Sequence, residues 1–277
     1  MKLKIFGDTI SIDWSAIGIK MPFAPMHELA QLYELERMSV LCPIDYTKVT
    51  DKDIQRTFET NCFISENNKY LLLDRINTRV QNTMSALDQA TSDTICINLG
   101  GGYHHAGQYP ETGYAYSLIN DIIWAVDYQL AQNKTVGIID LDFHFGGGTY
   151  SYAQSTPTVA ILDVHHFAGV LYKNQDPAGR VTLTQWETGK LGPERVFATI
   201  PDTVDKIILN IGTDWYKNDT LFGQNGCMEA EDILFAWQQT IMQITANYTP
   251  LAITMGGGYG PHGLKLYQSL ISWLSEL

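Results

Sequence analysis

The chain has 277 residues, 45% of them apolar, and a formal net charge of −12 at pH 7. That length and apolar content suit one domain over residues 1–277 with a sizeable core. The acidic balance excludes a direct nucleic-acid binder, which needs a basic surface to displace counterions from phosphates, and tolerates cationic or lysine-bearing partners.

In chain order, Met1 to Lys20 carries polar and charged residues throughout, with no apolar signal region. No later stretch is apolar enough to span a bilayer, so a cytoplasmic protein that does not enter membranes is expected; oligomeric state is left open. Met26–Met38 reads as a helix, and Val40–Tyr70 is too irregular to assign. Leu73–Ala90 reads as a helix and Thr94–Leu99 as a strand; a helix over Tyr116–Gln132 and strands over Thr135–Leu141 and Thr158–Val164 follow. Ala168–Pro193 has no clear period. Strands at Arg195–Ile200, Lys206–Ile211 and Pro250–Met255 flank a helix at Glu229–Asn247, and His262–Leu277 closes the chain as a helix. Short β-branched runs between amphipathic stretches predict a three-layer α/β/α domain with a mainly parallel sheet. Ligands of such sheets bind beyond the carboxyl ends of the strands. Cys42, Cys62, Cys96 and Cys227 form no CxxC pair and read as free thiols.

Six of the seven histidines follow strands or glycine runs. His104 and His105 come after Gly100–Gly102, His144 after the strand carrying Asp140 and Asp142, His165 and His166 after the next strand, and His262 after Gly256–Gly258. Parallel strands bring them to one rim. Asp142 and His144, two residues apart at a strand end, project to the same side and reach one metal ion. A third oxygen ligand is offered by Asp214 or Asp219 in the segment after Lys206–Ile211. Two carboxylates and one imidazole leave a position open for water, the requirement of a hydrolytic zinc site.

Gly100-Gly101-Gly102-Tyr103-His104-His105-Ala106, then Asp140-Leu141-Asp142-Phe143-His144, then Asp214 to Asp219, then Gly256-Gly257-Gly258-Tyr259 resemble, in order, the signature motifs of histone deacetylases and their bacterial relatives. The resemblance spans roughly Leu73 to Gly260. It implies an arginase–deacetylase type of fold with eight strands, and zinc-dependent hydrolysis of an N-acyl amide, either acyl-lysine in a peptide or protein or a small N-acetylated amine. Asp142, His144 and Asp219 match the zinc ligands, with Asp214 outside them. His104 and His105 match the tandem histidines, Asp140 the residue orienting His104, and Tyr259 the tyrosine that polarises the scissile carbonyl. Gly113 and Tyr114, with Tyr172 opposite, match the walls of the acyl-lysine channel, and Gly257 and Gly258 let the loop approach the substrate. A structural potassium ion near Asp140, Asp142, His144 and Asp163 is implied as well. His165, His166 and His262 read as surface residues or supports behind the site.

Three departures from the family pattern stand out. Gly147 occupies the place of an Asp or Asn whose side chain orients the second tandem histidine, so His105 loses that partner: another residue or water replaces it, or turnover is slower, or His104 does more of the proton transfer and matters at least as much. Asn218 stands where glycine is common, and the spacing from Gly113 to Asn120 is two residues longer than usual. Gly147 motivates a competing reading, a degenerate homologue that binds zinc and acyl-amine ligands with little or no turnover. An arginase-like ureohydrolase would require aspartate-rich motifs for two metals, which the sequence lacks.

Overall fold

The computed structural model describes residues 1–9, 26–41, 45–58, 65–165, 181–185, 204–219, 226–258 and 260–277. The elements are β1 (Lys2–Phe6), α1 (Met26–Ala30), α2 (Asp51–Thr57), α3 (Glu66–Gln89), β2 (Thr94–Asn98), α4 (Asp121–Leu130), β3 (Val136–Leu141), α5 (Gly147–Ser155), β4 (Val159–His165), β5 (Val181–Gln185), β6 (Lys206–Ile211), α6 (Ala230–Ala246), β7 (Leu251–Met255) and α7 (Pro261–Ser275). All the strands pair in parallel, in the order β1-β2-β7-β6-β3-β4-β5.

Helices cover both faces of the sheet, which explains why its strands read as unbroken apolar runs. Cys96, Ile138, Ile161, Ile208 and Ala252 pack with α2, α3, α4 and α5. Their strand neighbours Ile97, Ile139, Leu162, Leu209 and Ile253 pack with α1, α6 and α7 on the other side. Two residues beyond the first set, on the same face, the row changes character to Asn98, Thr254, Asn210, Asp140 and Asp163, which are register neighbours across five adjacent strands. Each is at most 1% exposed. A buried polar row needs partners, and the site described below supplies many of them.

Seven strands lie among the described residues, against the eight expected; the strand expected at Arg195–Ile200 lies outside those residues. The structure adds β1, β5, α2 and α5 and ends α1 at Ala30 rather than Met38. In β1, an edge strand, Lys2 and Lys4 break the apolar pattern, and the Lys4 amine donates to the Gln89 side chain at 2.7 Å. In α2 a capping box joins Thr50 and Asp53. Helix α5 hides behind Gly146–Gly148. Its first turn lies against the chain at His104–Ala106, where the Gly148 and Thr149 amides donate to the His104 carbonyl. A Cβ on Gly148 would overlap the Ala106 carbonyl. Gly148→Ala should therefore destabilise the fold by about 1–3 kcal/mol, the usual cost of overpacking; an unchanged denaturation midpoint would contradict this contact.

No helix among the described residues is long and apolar enough to cross a membrane. Cys96 is a buried free thiol and Cys227 an exposed one.

Candidate active site

The polar row positions the first histidine. Asp140 Oδ2 pairs with His104 Nδ1 at 2.7 Å, while Asp140 Oδ1 accepts from the Asn210 side-chain amide at 2.9 Å and from the Asp142 amide at 3.1 Å. His104 is 3% exposed. Burial works against its charge, yet the Asp140 and Asp142 carboxylates outweigh it and push His104 up to about 10. Asp163, next in the row, accepts from the Gly146 amide at 3.0 Å and pairs with His165 at 2.6 Å. His165 is thus buried behind the site, with its ring 5.0 Å from that of Phe145, and is not a surface residue.

Where β3 ends, the chain turns its donors outward. Asp142 accepts from the His144 amide at 2.9 Å and from the Gly257 amide at 2.7 Å, which ties the β3 end to the loop after β7. His144 Nδ1 lies 2.8 Å from Asp214 Oδ2 and 3.4 Å from Asp142 Oδ1. Asp142, His144 and Asp214 each offer one ligand atom, and these atoms all lie within 4.8 Å of one another. The sequence reading paired Asp142 and His144 with Asp219 and placed Asp214 outside. Among the described residues, Asp214 belongs to this group and Asp219 does not. Asp214 sits three residues past β6, and the indole of the adjacent Trp215 donates to the Leu141 carbonyl at 2.8 Å, drawing this turn onto the end of β3. Asp219, five residues farther on and buried, adds a neighbouring negative charge to Asp214.

The electrostatics of the trio fit a cation. Burial and the charge of Asp142 push Asp214 up to about 6, whereas the positive partners His104 and His144 hold Asp142 well below the usual carboxylate range against the effect of burial. Burial disfavours a charged His144, but its hydrogen bonds to Asp142 and Asp214 push it up to about 11. Two crowded carboxylates and an imidazole are the donor set of a divalent ion, which relieves the repulsion that a lone imidazolium only shares.

His105 has a partner that no side chain supplies. Its Nδ1 lies 3.1 Å from the Phe145 carbonyl. A carbonyl only accepts, so Nδ1 carries the hydrogen, and in the neutral ring Nε2 is the free acceptor. Burial and the adjacent His104, whose ring centroid is 4.2 Å away, push His105 well below the ordinary histidine value. Of the outcomes that Gly147 leaves open for His105, the structure shows the one in which another group replaces the missing side chain. A backbone carbonyl two residues earlier takes that place.

His104, His105, Asp142 and His144 line an open cleft together with Arg79, Gly100–Tyr103, Ala115–Ser117 and Met255–Gly258. Gly102 at φ 73° and Gly258 at φ 121° adopt conformations that favour glycine. A Cβ on Gly257 would overlap the Asp214 carboxylate. Of the expected wall residues, Tyr114 stands at the mouth, 65% exposed, with its ring edge-on to His105 at 6.4 Å, and Gly113 precedes it. His262 lies instead against Tyr216, their ring centroids 5.3 Å apart. Tyr172, Tyr259 and His166 lie outside the described residues.

Sequence reasoning missed two residues that hold the cleft floor. Asn210 belongs to the row already described. Asp121 is fully buried at the start of α4 and accepts from the Gly102 amide at 3.1 Å, the Tyr103 amide at 2.7 Å and the Thr83 hydroxyl at 2.6 Å. The Asn120–Asp121 pair opening an apolar run was a readable helix-start signal, but its grip on the glycine loop was not.

Residues 24–187, more than half of the chain, match the family model described as Histone deacetylase domain. Among curated proteins, histone deacetylase 9 of Arabidopsis thaliana is 25% identical over 182 residues, covering 60% of this chain and 41% of the relative. Histone deacetylase B of Dictyostelium discoideum is 33% identical over 118 residues, 42% of this chain and 26% of the relative. Histone deacetylase 19 of Arabidopsis thaliana is 36% identical over 73 residues, 26% of this chain and 14% of the relative. The chain thus matches less than half the length of each of these relatives.

Proposed function

Since this chain belongs to the histone deacetylase family, we propose that it is a zinc-dependent amidohydrolase that removes an acyl group from an amine. The amine is a lysine side chain of a peptide or protein, or a small N-acetylated amine. The convergence of Asp142, His144 and Asp214 beside the tandem histidines carries this reading. These three residues would hold the ion, with Asp214 in the place first given to Asp219. When bound, zinc supplies Lewis-acid activation of water and of the scissile carbonyl. His105, held by Phe145 with Nε2 free, takes the proton of the attacking water and returns it to the leaving nitrogen, which departs as an amine. His104, whose charged form the Asp140 carboxylate favours, stabilises negative charge developing beside it. Tyr259 is assigned to polarise the scissile carbonyl because it follows Gly258, a cleft residue. The potassium ion near Asp140, Asp142, His144 and Asp163 is also a proposal. Protein donors already engage the Asp140 and Asp163 carboxylates, so such an ion would rest chiefly on backbone carbonyls.

The competing reading, a homologue with little turnover, rests on Gly147. With the Phe145 carbonyl on His105, no observation favours it. A Cβ on Gly147 would meet only the Phe145 ring, at 3.5 Å or more, and Gly147 opens α5. Gly147→Asp should leave kcat within about twofold and stabilise the helix by about 0.3–1 kcal/mol through the dipole. Steady-state kinetics and melting curves check both; a large gain in kcat would mean that His105 lacks orientation in the parent. The function itself is tested by incubating the protein with acetyl-lysine peptides, longer acyl-lysine peptides and N-acetylated polyamines. Release of free amine from at least one class, blocked by a hydroxamate, is the expected result. Release from none would overturn the reading.

A further inference from the structure

The outer wall of the cleft is built from a conformation that its residues do not favour. Tyr114 and Ser117 exchange two backbone hydrogen bonds of 2.9 Å, which closes a two-residue turn over Ala115 and Tyr116. Both central residues are left-handed, at φ 45° and 62°, in a turn that ordinarily selects Asn and Gly. Such a turn persists only where its surroundings over-determine it.

Those surroundings come from α2. The Arg56 guanidinium donates from Nε to the Gly113 carbonyl at 3.1 Å and from Nη2 to the Pro110 carbonyl at 2.9 Å, while Asp53 holds the same Nη2 at 3.1 Å. Asp53 is itself fixed by Thr50 in the capping box that starts the helix. One residue on, the Thr57 carbonyl accepts the Tyr116 amide at 2.9 Å, and the Phe58 ring meets the Tyr116 ring edge-on at 6.2 Å. The two segments touch so closely that a Cβ on Gly113 would overlap the Thr57 hydroxyl. Glycine is needed there for approach; its φ of −57° suits any residue.

We propose that Arg56 is a positioning residue for the substrate wall: by gripping the Gly113 and Pro110 carbonyls it holds the 114–117 turn so that Tyr114 stands across the mouth, edge-on to His105. It touches no reacting atom. It acts through the placement of Tyr114, so its loss weakens substrate binding and leaves the chemical step alone. The kinetic consequence rests on the deacylase reading; the mechanical one does not.

The test uses the full chain as parent, Arg56→Gln, Tyr114→Ala and the double variant. In Arg56→Gln, amide hydrogen exchange at Tyr114, Tyr116 and Ser117 should accelerate at least tenfold while the strand amides keep their rates. On an acyl-lysine peptide turned over by the parent, KM should rise several-fold with kcat within twofold. The double variant should have the KM of Tyr114→Ala, because Arg56 works through that ring. Unchanged exchange would overturn the proposal, and this arm stands even if the parent hydrolyses nothing. A raised KM with unchanged exchange, or multiplicative effects in the double variant, would show direct action on the substrate and also overturn it. Faster exchange with an unchanged KM would show that the turn's placement does not matter to binding. Should Arg56→Gln fold poorly, Asp53→Asn loosens the same guanidinium and should accelerate the same amides to a smaller degree; no change there would count against the proposal.

Discussion

Asp214→Ala should lose stoichiometric zinc, while Asp219→Ala keeps it. The group that converges within 4.8 Å contains Asp214 and not Asp219, and removing a ligand should cost more affinity than the roughly 10–100-fold typical of losing a hydrogen-bond partner behind one. Elemental analysis after dialysis against a weak chelator reads this directly. A stability readout separates ligand loss from misfolding. Burial and the charge of Asp142 push Asp214 up to about 6 in the folded metal-free protein, against an ordinary 3.8. The folded state therefore pays nothing for this group below about pH 3.8, an increasing penalty as the pH rises toward 6, and the full penalty above it. Metal-free Asp214→Asn should then melt no lower than metal-free parent at pH 7. Zinc retention by Asp214→Ala, with loss in Asp219→Ala, would restore the assignment made from sequence.

His105→Ala should lower kcat by about 10²–10⁴, the range of a lost general base, and His104→Ala by at least tenfold less. The two rings differ in their partners. A neutral ring whose Nδ1–H points at the Phe145 carbonyl presents a lone pair on Nε2, whereas the Asp140 and Asp142 carboxylates shift the buried His104 ring toward its protonated form, in which neither nitrogen accepts. This reverses the order expected from Gly147. Kinetics at saturating substrate, with zinc content matched, decide between them. An inactive His104→Ala beside a nearly normal His105→Ala would assign the proton transfer to the other histidine.

The sheet was legible in the sequence because strands buried on both faces read as unbroken apolar runs, and five of those read lie within a residue or two of β2, β3, β4, β6 and β7. The rim was legible for the same reason: polar residues that end such runs, Asp140, Asp142 and His144 among them, stand at strand ends. What failed has separate physical causes. Lys2 and Lys4 disguise β1 because an edge strand tolerates charge, and Gly146–Gly148 disguises α5 because close approach to Ala106 requires glycine where helix propensity argues against it. The choice between Asp214 and Asp219 depended on how a turn after β6 folds back, which the Trp215 indole and the Leu141 carbonyl decide across 74 residues. The orienter of His105 is a peptide carbonyl, which every residue carries and no letter marks.

Zinc dependence of acyl release is the most direct test of the account. Protein stripped by a strong chelator and titrated with zinc should recover release of free amine from an acyl-lysine or N-acetylated amine substrate. Recovery should be complete at about one zinc per chain, and absent at any zinc level in Asp214→Ala. Full zinc occupancy with no hydrolysis of any such substrate would contradict it, as would turnover that survives complete removal of the metal.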